Sequence, residues 1–156
     1  SGPSGGGLVN VVIAYNTFAD SVVETGLKLL TGTHTNSVVE NNIFLQEGTL
    51  PVAVVQNPQG ITFSHNLWSK TPPASASGGG DVIGSPGLLK VSGTGPGQLS
   101  PGWFRIGASS PAAFAALPMG NVTVDFFGVP RGALPDIGAM QHTLAPPGNL
   151  RIWSGL

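Results

Sequence analysis

A short pattern occurs three times in the first part of the chain and constrains its fold more than any other feature. VVIAYNTF begins at Val11, VVENNIFL at Val38 and TFSHNLWS at Thr62. Each copy places β-branched residues before an Asn, and one spacer residue separates that Asn from a large apolar side chain. The Asn residues are 26 and 24 residues apart. A period of this length is typical of a solenoid, in which each repeat packs on its neighbours.

The residues within the repeat predict strands rather than helices. Apolar side chains alternate at Val11 and Ile13 in the first copy and at Ile61 and Phe63 in the third, which is the period of a half-buried strand. A second apolar run follows each of the first two copies, as GLKLLTG and then LPVAVVQN. We therefore predict an all-β fold, a parallel β-helix of about three coils in which each strand pairs with its equivalent one coil away.

The repeated Asn residues are predicted to form a structural ladder. In stacked coils they would occupy the same bend, where Asn tolerates a left-handed backbone. Each amide would donate to one neighbouring Asn and accept from the other. The large residues two places on would stack inside the coil, and neither row is expected to be catalytic. The ladder residues are Asn16, Asn42 and Asn66, and the stacking residues are Phe18, Phe44 and Trp68.

The last part of the chain carries a second pattern. GWFRIGASSPAAFAAL, from Gly102, and VDFFGVPRGALPDIGAMQ, from Val124, resemble the C-terminal end of secreted bacterial right-handed parallel β-helix proteins of the pectate-lyase-like group. Met140 and Gln141 depart from the acidic ending usual in that group. The resemblance implies a right-handed β-helix with a closing segment, and an extracellular or cell-surface location. It implies no single activity, because the group includes lyases, other sugar-processing enzymes and adhesion proteins. The matching residues are Phe104, Arg105, Ser110, Pro111, Ala112, Asp125, Gly128, Arg131, Asp136, Ile137, Gly138 and Ala139.

These patterns divide the chain into four parts. We expect a linker or processed end at 1–7, coils at 8–101 with a loop near 71–80, a closing segment at 102–142 and a tail at 143–156.

Within this division, two further strands are predicted near Leu88–Val91 and Trp103–Ile106. The closing segment is expected to block the C-terminal end of the coils. Its structural cap would be Arg131 held between Asp125 and Asp136, because a guanidinium group binds carboxylates in a bidentate manner.

Charge and composition exclude several classes of partner. Charged residues are 8% of the chain and the net charge is −1, whereas an average soluble protein has roughly 25%. No strong field is available to attract nucleic acid. No apolar run has the character of a membrane span. The absence of Cys excludes disulfides and thiolate metal sites.

Candidates for acid–base chemistry are correspondingly few. A lyase of acidic polysaccharides requires a base and a group that neutralises the substrate carboxylate, often Ca²⁺. Asp20, Glu24 and Glu40 are the candidates for calcium, but they are scattered and no DxDxDG loop is present. His65 and Lys70 are the candidate bases. We expect no catalytic residue, no cofactor and no lyase activity, with Ca²⁺ as the alternative.

One row of residues is a candidate for carbohydrate contact. Tyr15, Asn41 and His65 each precede a ladder Asn, so stacked coils would align them on one outer edge. An aromatic ring, an amide and an imidazole suit a sugar surface. The alternative is an exposed edge without a ligand.

The leading functional hypothesis is the C-terminal β-helix portion of an extracellular polysaccharide-binding or polysaccharide-processing protein, non-catalytic by itself. One alternative is a structural or adhesive solenoid that assembles through its open N-terminal end, and another is a small polysaccharide lyase. The segment SGPSGGG has no apolar side chain to cover Val11, Ile13 and Phe18. We therefore expect missing N-terminal coils or a second copy, as a homodimer, to cover this end.

Overall fold

The computed structural model describes residues 6–142. They form nine short strands and two 3₁₀ helices, and every pair of neighbouring strands is parallel. The predicted all-β class with parallel pairing is confirmed. The strands are β1 (Val12–Ala14), β2 (Thr17–Ala19), β3 (Leu27–Leu29), β4 (Ser37–Glu40), β5 (Ile43–Leu45), β6 (Ala53–Val55), β7 (Ile61–Ser64), β8 (Leu67–Trp68) and β9 (Val82–Ile83). The 3₁₀ helices are Ala74–Ala76 and Pro101–Phe104.

Equivalent positions of the sequence repeat lie beside one another in three sheets. The first sheet has the order β1-β4-β7, the second β2-β5-β8-β9 and the third β3-β6. Phe18 pairs with Phe44, and Phe44 pairs with Trp68. The register therefore follows the spacing of the Asn residues, and each repeat stacks directly on the previous one.

The main core lies between the three sheets. It contains Leu27, Val39, Phe44, Val55 and Trp68, with at least one residue from each sheet. Strand β5 is buried along its whole length, as is usual for a parallel strand covered on both faces. Phe44 faces this main core, whereas Ile43 belongs to a second apolar cluster.

The third sheet stops after two strands. The next segment forms the 3₁₀ helix Ala74–Ala76, in which Ser75 Oγ donates to the carbonyl of Val55 at 2.8 Å. Ala76 is fully buried in the main core. The stretch predicted as a loop near 71–80 therefore packs against β6 in place of a third strand.

After β9, the described part of the chain contains no further strand. The strands predicted near Leu88–Val91 and Trp103–Ile106 are wrong. Leu88 and Ile106 form only an isolated antiparallel bridge. Pro101 begins a 3₁₀ helix instead, because proline has the backbone angle of a first helical turn and needs no N–H partner there.

The closing segment packs along the side of the second sheet. Ala112 and Ile137 pack in the cluster that contains Ile43 and Leu67. Gly138 N–H also donates to the carbonyl of Asn41 at 2.9 Å. The expectation that this segment blocks the C-terminal end stays a prediction. The outward side chains of β5 and β8 are apolar, and this segment removes them from water.

Candidate functional site

The repeated Asn residues form a continuous hydrogen-bonded row. Asn16 Nδ2 donates to Asn42 Oδ1 at 3.0 Å, and Asn42 Nδ2 donates to Asn66 Oδ1 at 3.1 Å. The same oxygens accept the backbone N–H groups of Asn16 and Asn42. Asn42 and Asn66 are fully buried, so this row has a structural role.

Asp81 is a fourth member of the row that sequence reasoning missed. Its Oδ1 accepts from Asn66 N–H at 2.9 Å. In the same way, Asn66 Oδ1 accepts from Asn42 N–H. Asp81 Oδ2 accepts from Trp68 Nε1–H and Gly78 N–H, both at 2.9 Å. The sequence DVI at Asp81 matches NIF and NLW, but the spacing from Asn66 falls to 15 residues because a 3₁₀ helix replaces a strand. A carboxylate suits this last position, since it only needs to accept.

The large residues stack as predicted. The rings of Phe18 and Phe44 are 5.0 Å apart and tilted by 3°, and those of Phe44 and Trp68 are 4.3 Å apart and tilted by 11°. Such contacts contribute about 0.5–1.5 kcal/mol each beyond the burial of area. Phe44 and Trp68 are fully buried and are not available to a ligand, whereas Phe18 is half-buried.

The left-handed bend lies at the row Tyr15, Asn41 and His65, whose φ values are 54°, 58° and 49°. It was expected one residue later, at the ladder Asn residues. Each residue of the row joins a strand of the first sheet to a strand of the second. The ladder side chains therefore point inward from the residue after the bend.

Two residues of this row are buried, so the expected exposed carbohydrate row is wrong. Asn41 exchanges hydrogen bonds with Leu117, its Nδ2 donating to the carbonyl and its Oδ1 accepting the N–H, both at 2.8 Å. Tyr15 Oη–H donates to the same carbonyl at 2.7 Å. His65 is half-buried beneath Gly80, where an added Cβ would collide with the imidazole. Tyr15 and Asn41 thus attach the closing segment.

Arg131 does not form the predicted clasp with Asp125 and Asp136. Within residues 6–142, no ion pair joins Arg131 to either carboxylate. Its Nη1 and Nη2 donate to the carbonyls of Asp136 and Gly138 at 3.2 and 2.9 Å, and its guanidinium lies 3.9 Å from the centre of the Tyr15 ring. Burial lowers the pKa of Arg131, and burial raises the pKa of Tyr15 although Arg131 acts in the opposite direction.

The two carboxylates instead organise backbone turns. Asp125 Oδ1 accepts from the N–H groups of Phe127 and Val129, both at 2.8 Å. Asp136 Oδ1 accepts from Phe114 N–H at 2.9 Å. Backbone N–H groups compete with Arg131 for these oxygens, and this explains the absence of the clasp.

Asp136 also contacts a histidine that sequence reasoning left unassigned. His142 Nδ1 lies 2.8 Å from Asp136 Oδ2, and the two side chains are only 5% and 1% exposed. Phe114 packs edge-on against the imidazole. This buried pair joins two parts of the closing segment.

A groove lies where β2 and β5 end and the 90–104 segment passes over them. Its volume is about 580 Å³. An adjoining cavity of about 370 Å³ shares Asp20, Val22 and Glu47 with it. The groove is lined by Ala19, Asp20, Val22, Glu47, Lys90, Thr94, Leu99, Trp103 and Phe104.

Polar contacts connect the two sides of this groove. Lys90 Nζ lies 2.6 Å from Glu47 Oε1 and 5.4 Å from the centre of the Trp103 ring. Asp20 Oδ1 accepts from Glu47 N–H at 2.7 Å. Asp20 and Glu47 come just after the equivalent strands β2 and β5, in the sequences FAD and FLQE. This shared position is a signal from which their proximity could have been predicted. Nothing local in the sequence predicts the arrival of the 90–104 segment.

The residues proposed for lyase chemistry do not meet. Glu24 pairs with Lys28, and Glu40 accepts from Ser64 Oγ–H at 3.2 Å. Lys70, a candidate base, donates to the carbonyls of Gly48 and Leu50. Among residues 6–142, no three His, Asp or Glu side chains gather at a point that would hold a metal ion.

Comparison with known proteins gives no family. No protein-family model matches the chain, and no curated protein matches it. Across residues 6–142, the helices are too short to span a membrane.

Proposed function

We propose that this chain is the carbohydrate-binding part of an extracellular polysaccharide-binding protein, built as a right-handed parallel β-helix. The repeated parallel register of the three sheets supports the β-helix. Parallel strands of one sheet are connected with right-handed crossovers in about 98% of cases, which supports the handedness.

The groove formed by Asp20, Glu47, Lys90 and Phe104 is the observation on which the proposed function rests. Its volume of about 580 Å³ is that of a site for a small ligand or a few sugar units. Carboxylates and a lysine offer hydrogen bonds to hydroxyl groups, and the half-buried Phe104 offers an apolar surface for a sugar ring. We therefore assign carbohydrate contact to this groove and not to Tyr15, Asn41 and His65, for which the sequence suggested it.

The proposed role is binding rather than lysis. Lysis of an acidic glycan requires a base beside a group that neutralises the substrate carboxylate. Lys90 is paired with Glu47, and Lys70 is held by backbone carbonyls. Neither arrangement supports the lyase alternative.

Blocking the groove tests the proposed function. Thr94 is exposed and lines the groove, so Thr94→Trp would fill it while leaving the core intact. Thr62→Trp is the control, because Thr62 is an exposed residue of β7 and is not part of the groove. In affinity electrophoresis through neutral, acidic and amino polysaccharides, wild type and Thr62→Trp should be retarded by at least one glycan, and Thr94→Trp should not. Wild type that migrates freely through every glycan contradicts the proposal.

A structural or adhesive role is the second candidate. Strands β1, β2 and β3 each lie at the end of their sheet, so each has an edge without a strand partner within residues 6–142. Such edges favour pairing with another chain. Self-association, considered in the Discussion, tests this role.

A further inference from the structure

We propose that the groove selects glycans that carry protonated amino groups, such as polymers of glucosamine, over neutral and acidic glycans. This inference rests on the proposed carbohydrate-binding function. The groove and the adjoining cavity, which share Asp20 and Glu47, are here called the acceptor groove.

The charges of the acceptor groove favour a cationic ligand. The charged residues that line it are Asp20, Glu47 and Lys90, and the ammonium group of Lys70 is held by the backbone of the same loop. Lys90 lies 2.6 Å from Glu47, whereas no ion pair within residues 6–142 involves Asp20. The whole chain has a net charge of −1 and supplies no opposing field. An acidic glycan would bring its carboxylates toward Asp20 and Glu47, which is repulsive.

Gln46 supplies an independent indication that a donor is missing. Its side chain is 3% exposed and lines the acceptor groove. Its Nε2 donates to the carbonyl of Ser21 at 3.0 Å, but its Oε1 is buried and has no hydrogen-bond partner within residues 6–142. Buried acceptors are nearly always paired in folded proteins. A ligand N–H group entering beside Asp20 and Glu47 would supply the partner.

The backbone of the same loop already binds one ammonium group. Lys70 Nζ donates to the carbonyls of Gly48 and Leu50, both of which line the acceptor groove. The loop therefore presents backbone oxygens as well as side-chain oxygens. An ammonium group carries several N–H donors and no acceptor. It is therefore the sugar substituent that best matches a groove lined by hydrogen-bond acceptors.

Calorimetry with three oligosaccharides of equal length tests the selectivity. The ligands are glucosamine oligomers, their fully N-acetylated counterparts and galacturonate oligomers, at mildly acidic pH where the sugar amines are protonated. We expect glucosamine oligomers to bind about tenfold more tightly than the acetylated ones. The galacturonate oligomers should bind weakest.

A matched pair of variants locates the effect. Glu47→Gln removes a groove charge and releases Lys90, and should weaken glucosamine binding about tenfold. Glu24→Gln breaks the exposed Glu24–Lys28 pair, which lies outside the acceptor groove, and should leave binding unchanged. Both positions are exposed, and thermal melts will verify that both variants are folded.

The outcomes separate this inference from the proposed function. Equal or tighter binding of acetylated or galacturonate oligomers overturns the amine selectivity and leaves carbohydrate binding standing. Equal losses in Glu47→Gln and Glu24→Gln also overturn it. Failure of all three ligands to bind, together with free migration through every polysaccharide, overturns both proposals.

Discussion

At the scale of single residues, Asn42 is the most strongly connected member of the polar row. Its Oδ1 accepts from Asn16, and its Nδ2 donates to Asn66 Oδ1 and to the carbonyls of Ile13 and Glu40. Asn16 is exposed and lies at the end of the row. The stabilisation that each amide contributes therefore depends on how many buried hydrogen bonds it makes.

We predict that Asn42→Ala lowers the free energy of unfolding by about 1–3 kcal/mol, because it leaves buried donors and acceptors unpaired. Asn16→Ala, at the exposed end, should change it by less than about 0.5 kcal/mol. Urea unfolding followed by circular dichroism measures both values. Equal losses of stability in the two variants would contradict the prediction that the buried Asn contributes more than the exposed one.

Tyr15 provides a second test, because it is the only Tyr in the chain. Burial raises its pKa, so the folded state retains the phenol proton more strongly than the unfolded state. The resulting stabilisation is present in full below the ordinary value of about 10 and is lost as the pH rises through the raised folded pKa. Absorbance of tyrosinate reports this titration directly.

We predict that tyrosinate forms in the folded protein only above about pH 10. Wild type should also lose stability more steeply than Tyr15→Phe above that pH. The comparison isolates the phenol, because the two proteins differ only in that group. At neutral pH, Tyr15→Phe should cost about 0.5–1.5 kcal/mol for the lost bond to Leu117. Identical pH profiles for the two proteins would contradict the burial argument.

At the scale of elements, the closing segment is held by both apolar and polar contacts. Ile43 and Leu67 point away from the main core and pack against Ile106, Ala112 and Ile137. Asn41 fixes the position of this segment through the backbone of Leu117. The second sheet is therefore incomplete as a structural unit without the segment that covers it.

We predict that Asn41→Gly destabilises the protein by about 1–3 kcal/mol and speeds hydrogen exchange at the amide of Leu117. Glycine accepts the left-handed backbone, so the effect reports the lost side-chain contacts. Asn36→Gly is the matched control, since Asn36 is exposed and also has positive φ. Unchanged exchange at Leu117 in Asn41→Gly would show that the apolar contacts alone hold the segment.

At the scale of the whole molecule, the strands of the first repeat form one end of the stacked sheets within residues 6–142. Val11, Ile13 and Phe18 are half-buried, and Val12 is 53% exposed. Association would thus bury less apolar surface than if these side chains were fully exposed, and the gain in free energy is smaller. The edges of β1, β2 and β3 nevertheless lie at one end and offer backbone donors and acceptors.

We predict a concentration-dependent homodimer through this end, since a two-fold contact covers both ends and stops. Val12→Lys should weaken the dimer, because charged side chains on an edge strand oppose pairing. Val23→Lys, at an exposed position outside the strands, should have no effect. Sedimentation velocity measures both. A monomer at every concentration would contradict the prediction.

The repeat made the stacked parallel strands predictable from the sequence alone. Val11 and Ile13 alternate, and the Asn spacing sets which residues pair, so local pattern and period are sufficient. The ladder at Asn42 and the stacking of Phe44 follow from the same period. Asp81 escaped prediction because a 3₁₀ helix shortened the interval.

Only the tertiary structure decided how the rest of the chain meets these strands. The closing segment covers Tyr15 and Asn41 because the apolar residues of β5 and β8 need cover, and no sequence period encodes which segment provides it. Backbone N–H groups, rather than Arg131, occupy the carboxylate of Asp125. The acceptor groove brings Glu47 to Lys90, which are 43 residues apart. Such contacts depend on burial and competition among distant groups, and these are settled only when the whole chain has packed.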